Sequence, residues 1–184
     1  VTLALGFGAT QAEAIATAEG SLAAGFPAAR RAYRKAWDAY DESLARPPTS
    51  LPGLKRTRVG ALRDTYYLSA NLVKAAEDKT FPGAIVASLA APWGQAVSAD
   101  DPTRTFFGSY REVFARHLYQ AWTALLVDGD LATARATVDF LFGRQQQADG
   151  SMPRNSLVNG RPAPDSFTSP LDETAYAIMM ADQL

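Results

Sequence analysis

Apolar residues recur at helical spacing through most of this chain, and polar, glycine-rich stretches separate the runs. The strongest run lies between Phe107 and Asp130, where Val113, Phe114, Leu118, Ala121, Trp122 and Leu125 form one stripe, the pattern of a helix that buries one face. It predicts a helix from Tyr110 to Val127 and a turn at Asp128-Gly129-Asp130. Asp130 then caps a helix that carries Leu131, Ala134, Val138, Leu141 and Phe142 on one side. Upstream, Val1, Leu3, Leu5 and Phe7 alternate with Thr2, Ala4 and Gly6, the period of a strand with one buried face.

The remaining elements follow from punctuation. Thr10 and Glu13 have capping-box spacing, so a helix starts there and runs to about Leu22. Gly25-Phe26-Pro27 ends it, and a second helix runs from Pro27 to Leu44. On that helix Phe26, Ala29, Tyr33, Trp37, Tyr40 and Leu44 line one face, and Arg30, Arg31, Arg34, Lys35, Asp38, Asp41 and Glu42 line the other. Residues 46–53, RPPTSLPG, read as a linker. A helix is expected over 60–77 and a short strand over 84–87, within a Gly- and Pro-rich stretch. The turn pairs Asp149-Gly150 and Asn159-Gly160 bracket Ser151–Val158 as a small hairpin or structured loop. Ser169 is expected to cap a last helix, with Pro170 at its first position and Asp172 at its third. Long polar loops over a helical frame are the usual material of a binding surface.

Composition narrows the class. The 184 residues are 47% hydrophobic and 20% charged with a net charge of −1, a globular balance. No Lys/Arg run stands out, which argues against nucleic acid. No apolar run reaches the roughly 20 residues of a membrane span. Cysteine is absent, which excludes disulfides and thiol chemistry and is compatible with a secreted or cell-surface bacterial protein. The missing initiator Met and the helical pattern still running at Leu184 read as cuts in a longer polypeptide.

Several segments together resemble a known family: the N-terminal VTLALGFG, Thr80–Ser88, Pro92-Trp93-Gly94, Gly108-Ser109-Tyr110, Phe114-Ala115-Arg116, Gln146–Gly150 and Leu171-Asp172-Glu173. In order and over essentially the whole chain they are similar to bacterial glycoside hydrolase family 15, the glucodextranase and glucoamylase family. The resemblance implies a mainly α fold. Residues 1–8 would be the last strand of a β-sandwich, 9–56 linker helices, and 57–184 the first part of an (α/α)₆ barrel catalytic domain. It implies an exo-acting, inverting α-glucoside hydrolase that takes glucose from the non-reducing ends of α-glucans. Inversion needs two carboxyl groups about 6.5–9.5 Å apart. Both glutamates are expected beyond Leu184, so the chain alone is expected to be inactive. Glu112 and Glu173 are expected in first turns of helices, where the dipole favours a carboxylate.

By the resemblance, Tyr110 and Arg116 occupy glucose-binding positions, and His117 stands where the family pattern has Asp. A carboxylate accepts more hydroxyl hydrogen bonds than a neutral imidazole, so a catalytically degenerate carbohydrate-binding member is the alternative. Trp93, in a Pro-Gly-flanked loop, is a further sugar-stacking candidate. Residue chemistry alone leaves other readings open: a structural arginine paired with a carboxylate, a core histidine, and aromatic rings that only pack. No cofactor is required by the resemblance. Structural calcium is conceivable at Asp100 and Asp101 or at Asp128 and Asp130. The expected partners are an α-glucan or α-gluco-oligosaccharide and the rest of the same polypeptide.

Overall fold

A computed structural model describes residues 1–90, 110–163, 166 and 170–184. It is mainly helical, as expected. Six α-helices follow one another: α1 (Gln11–Ala24), α2 (Phe26–Ser43), α3 (Arg56–Ala75), α4 (Ala115–Asp128), α5 (Leu131–Phe140) and α6 (Leu171–Gln183). The chain divides into two compact units, Val1–Ser43 and Leu44–Leu184.

In the first unit, α1 opens with the expected capping box: Thr10 and Glu13 exchange side-chain-to-backbone bonds in both directions. Val1–Phe7 forms no strand. A ladder requires a second strand, and among the described residues none pairs with it. Val1, Leu3, Leu5 and Phe7 are exposed. Gly6 and Gly8 let this segment lie against α1, since a Cβ on either would overlap Ala14 or Glu13. Along α2, Tyr33, Trp37 and Tyr40 meet edge-on, with centroids 6.2 Å and 6.0 Å apart, at the i,i+4 and i,i+3 spacings that bring helical side chains together.

The second unit is organised around α4. Leu118, Trp122 and Leu125 are fully buried with Ala134, Phe140 and Leu141 of the α5 region and Ala177 and Met180 of α6. Trp122 has no exposed surface, and its indole Nε1 donates to the Ala134 carbonyl at 3.1 Å; a buried Trp needs such an acceptor. Gly83, at φ +83°, passes directly against the backbone of Ala136 in α5, where any Cβ would clash. Among the described residues no helix is long and apolar enough to cross a membrane.

Several boundaries differ from expectation. The helix expected to start at Tyr110 starts at Ala115, because residues 110–112 form a turn and bend and Val113 a single bridge, with their backbone bonds going to distant residues. Val113 exchanges two 2.9 Å backbone bonds with Ser156, Ala87 N–H bonds the Glu112 carbonyl, and Ser88 N–H bonds that of Tyr110. The expected strand over 84–87 reduces to one antiparallel bridge, Ile85 with Glu77. Ser151–Val158 is a structured loop rather than a self-paired hairpin. Its Ser156 bridges Val113 on one side and Pro162 on the other, with the turn at Asn159-Gly160. After α5 the helix widens into a π-helical turn, Leu141–Gln145. Leu171 opens α6 with Pro170 at the cap position, one residue later than expected; Ser169 lies outside the described residues.

Candidate functional site

The start of α4 gathers the chemistry. The turn and bend over 110–112 deliver Tyr110 to the same place as His117, although Tyr110 is not on the helix. The Tyr110 and His117 rings meet edge-on at 5.9 Å, and Phe114 meets His117 at 5.2 Å. Arg154 lies over the other aromatic partner, 5.8 Å from the Phe114 centroid. His117 also lines a groove of about 550 Å³ between α3 and α4, whose walls include Val73, Ala76, Ser88, Gln120 and Ala121. Its Nδ1 is buried with no hydrogen-bond partner among the described residues. Burial holds the imidazole pKa below its usual value, and the neighbouring Arg116 cation pushes the same way. The ring is therefore neutral at neutral pH, with one acceptor nitrogen.

Arg116 follows the other face of the helix. Its Nε donates to Asp172 Oδ2 at 2.6 Å and lies 3.8 Å from Glu173 Oε1. Its side chain is still 46% exposed, so the guanidinium is oriented by α6 and not enclosed by it. Its pKa is raised, first by the hydrogen bond to Asp172. Asp172 is correspondingly lowered by that bond. Glu173 is 1% exposed and accepts the Arg116 backbone N–H at 2.7 Å; burial nevertheless raises its pKa.

Four buried polar residues, Glu112, Asn155, Gln145 and Ser156, stand behind the site. Glu112 is 2% exposed and accepts from Asn155 Nδ2 at 2.5 Å. It therefore does not sit in the first turn of a helix, as the sequence suggests; the Asn155 bond, not a helix dipole, satisfies it. Gln145, at the end of the π-helical turn, donates from Nε2 to the Val113 carbonyl and to Ser156 Oγ at 3.1 and 2.9 Å. These bonds fix the path into α4. They join residues 11 to 43 positions apart, beyond any local rule.

Of the candidates read from sequence, the fold brings Tyr110 and His117 together and turns Arg116 toward α6. Trp93 lies outside the described residues, as do Asp100 and Asp101. Among the described residues no three His, Asp or Glu side chains gather as a metal site. Asp130 caps α5 through the Thr133 N–H at 3.0 Å. Asp128 is raised by burial, partly offset by a bond from the Tyr66 hydroxyl.

Comparison with known proteins shows what this helical frame is similar to. The family model of glucodextranase, domain N, matches residues 1–42. A glucoamylase of Clostridium sp. (strain G0005) is 31% identical over 182 residues, spanning 99% of this chain and 23% of that protein. The crystal structure of a bacterial glucoamylase complexed with acarbose matches with a TM-score of 0.73 at 29% identity, covering 97% of this chain and 24% of that one. The chain thus spans about a quarter of the length of these relatives. Over nearly its whole length the chain is similar to these glucoamylases, and its mainly helical fold matches that of the acarbose-bound one.

Proposed function

We propose that the polypeptide carrying this chain is an exo-acting, inverting α-glucoside hydrolase that releases glucose from the non-reducing ends of α-glucans. In this reading the chain supplies part of the terminal-glucose subsite through Tyr110, Arg116 and His117, with Trp93 as a further stacking surface. The catalytic glutamates lie beyond Leu184. The observation that carries the reading is the corner at the head of α4. There an edge-on Tyr110–His117 pair stands at the helix start, with the half-exposed Arg116 guanidinium on the side facing α6, in a chain similar to a glucoamylase crystallised with acarbose.

Each residue has a chemical part in this proposal. The planar fork of Arg116, pre-aimed by Asp172, donates to adjacent hydroxyls of one sugar. The apolar face of Tyr110 packs against sugar C–H groups while its hydroxyl bonds at the ring edge. His117 contributes one neutral acceptor nitrogen. Glu112 and Glu173 have structural parts in this reading: each is buried and bonded to a protein donor.

The second reading is a carbohydrate-binding member without turnover, and it is favoured by His117, where the family pattern has Asp. Incubating the complete polypeptide with maltose and following the anomeric protons by NMR separates the two. Early appearance of β-glucose supports the hydrolase. Acarbose binding without glucose release supports the degenerate member. Release of α-glucose first contradicts inversion. Residues 1–184 purified alone are expected to show no turnover.

A further inference from the structure

Helix α4 begins without a cap of its own. Phe114 occupies the cap position and provides no side-chain hydrogen bond, so the first backbone N–H groups need acceptors from elsewhere. One acceptor comes from α6, where Glu173 Oε2 takes the Arg116 N–H at 2.7 Å. The other oxygen, Oε1, stands 3.8 Å from the Nε of the same residue's guanidinium. A carboxylate that is 1% exposed is costly unless it is paired or bonded. Here the helix N-terminus and the guanidinium together meet that need, since a negative charge is stabilised at a helix start. Asp172, one residue earlier and partly exposed, holds only the Nε.

We propose that Glu173 is a positioning residue for the sugar-binding corner. It serves as a cap supplied from a distant helix, fixing the start of α4 and the direction of Arg116 together. The claim that this corner meets sugar rests on the function proposed above; the capping role does not. One carboxylate thereby couples the backbone at Arg116, and so the neighbouring His117, to the guanidinium that would grip the ring.

Two variants and two readouts test this. Glu173→Gln keeps an oxygen that can accept the Arg116 N–H but removes the charge that faces the guanidinium. Glu173→Leu removes both. In residues 1–184, hydrogen exchange at the Arg116 amide is expected to quicken at least about tenfold in Glu173→Leu and to stay within about threefold of the parent in Glu173→Gln. In the complete polypeptide, Glu173→Gln is expected to lower kcat/KM on maltose about tenfold with its melting temperature nearly unchanged, a loss that a purely structural role does not produce. Unchanged Arg116 exchange in Glu173→Leu overturns the capping role. Unchanged kcat/KM in Glu173→Gln overturns the positioning role. If the parent polypeptide has no turnover on maltose, the functional reading fails instead, and the positioning role is then read from acarbose affinity, where an unchanged Kd in Glu173→Gln overturns it. If Glu173→Leu does not fold, Glu173→Ala, which also removes the acceptor, takes its place in the exchange measurement, and Glu173→Gln decides the positioning role.

Discussion

Helices α4 and α5 follow each other directly, yet their first turns are held in opposite ways. At α5 the cap is local: Asp130 accepts the Thr133 N–H three residues on. At α4 the residue in the cap position is Phe114, and the acceptor is Glu173, 57 positions away. The segment before α4 is further held by backbone bonds to Ser156, Ala87 and Ser88. The α5 start is written into adjacent residues and would form in almost any context. The α4 start exists only when α6 and the 155–162 loop are in place. It is also the start that carries Tyr110, Arg116 and His117. Where local rules fail in a folded protein, function or strain is often the reason, and here the candidate site and the failure coincide.

The largest expected effect tests this contrast directly. Glu173→Leu leaves the part-buried Arg116 N–H without its acceptor and removes one of the two carboxylates facing the guanidinium, and it should cost about 2–4 kcal/mol in urea unfolding. A loss below that of the Asp130 variant described below would reverse the comparison. Next comes His117→Asp in the complete polypeptide. Restoring a carboxylate gives sugar hydroxyls a charged acceptor, worth roughly 1.5–3 kcal/mol, so kcat/KM on α-glucosides should rise about tenfold to a hundredfold. No gain on any α-glucoside would return His117 to a packing role. Asp130→Ala removes a local cap and a 3.7 Å ion pair with Lys74 and should cost about 1 kcal/mol, with no change in acarbose affinity; altered affinity would show that the two helix starts are not independent.

The smallest effect is pH-dependent. His117 is the only histidine, and its folded pKa lies below the ordinary value of 6.5. The unfolded chain therefore binds the proton more readily, and stability falls as pH drops below about 6.5. Above that pH the group has no effect. Glu173 acts with the opposite sign: its pKa is raised above 4.5, so its contribution is present at low pH and declines as pH rises through that window. Comparing the parent with His117→Gln at pH 7 and pH 5.5 isolates the histidine. The parent should lose more stability on acidification than the variant, and equal losses would contradict a buried neutral imidazole.

Much of the helical frame was legible because its signals are local. The Thr10–Glu13 box, the Asp130 cap, the Trp122 stripe and the Asn159-Gly160 turn all act within a few residues. The strand pattern over 1–7 was legible too, but a pattern is not a ladder, and without a partner it stays unpaired. The start of α4 was misread because Tyr110–Val113 continue the apolar period while their backbone bonds go to residues 87, 88 and 156. The closeness of Tyr110 and His117 is reached by a bend before the helix, with Tyr110 outside α4. Buried Glu112, Gln145 and Glu173 were out of reach because a polar residue's burial depends on distant partners. Glu173 looked like an ordinary acid in a first helical turn.

The account's central claim is that the Arg116 corner grips a terminal sugar. Calorimetric titration of acarbose into the complete polypeptide, parent against Arg116→Lys, tests it most directly. Lysine keeps the charge and a partner for Asp172 and Glu173 but loses the planar fork. The account predicts acarbose binding by the parent and a Kd at least about tenfold weaker in the variant, roughly 1.4 kcal/mol. Equal Kd values, or no binding by the parent, would contradict it.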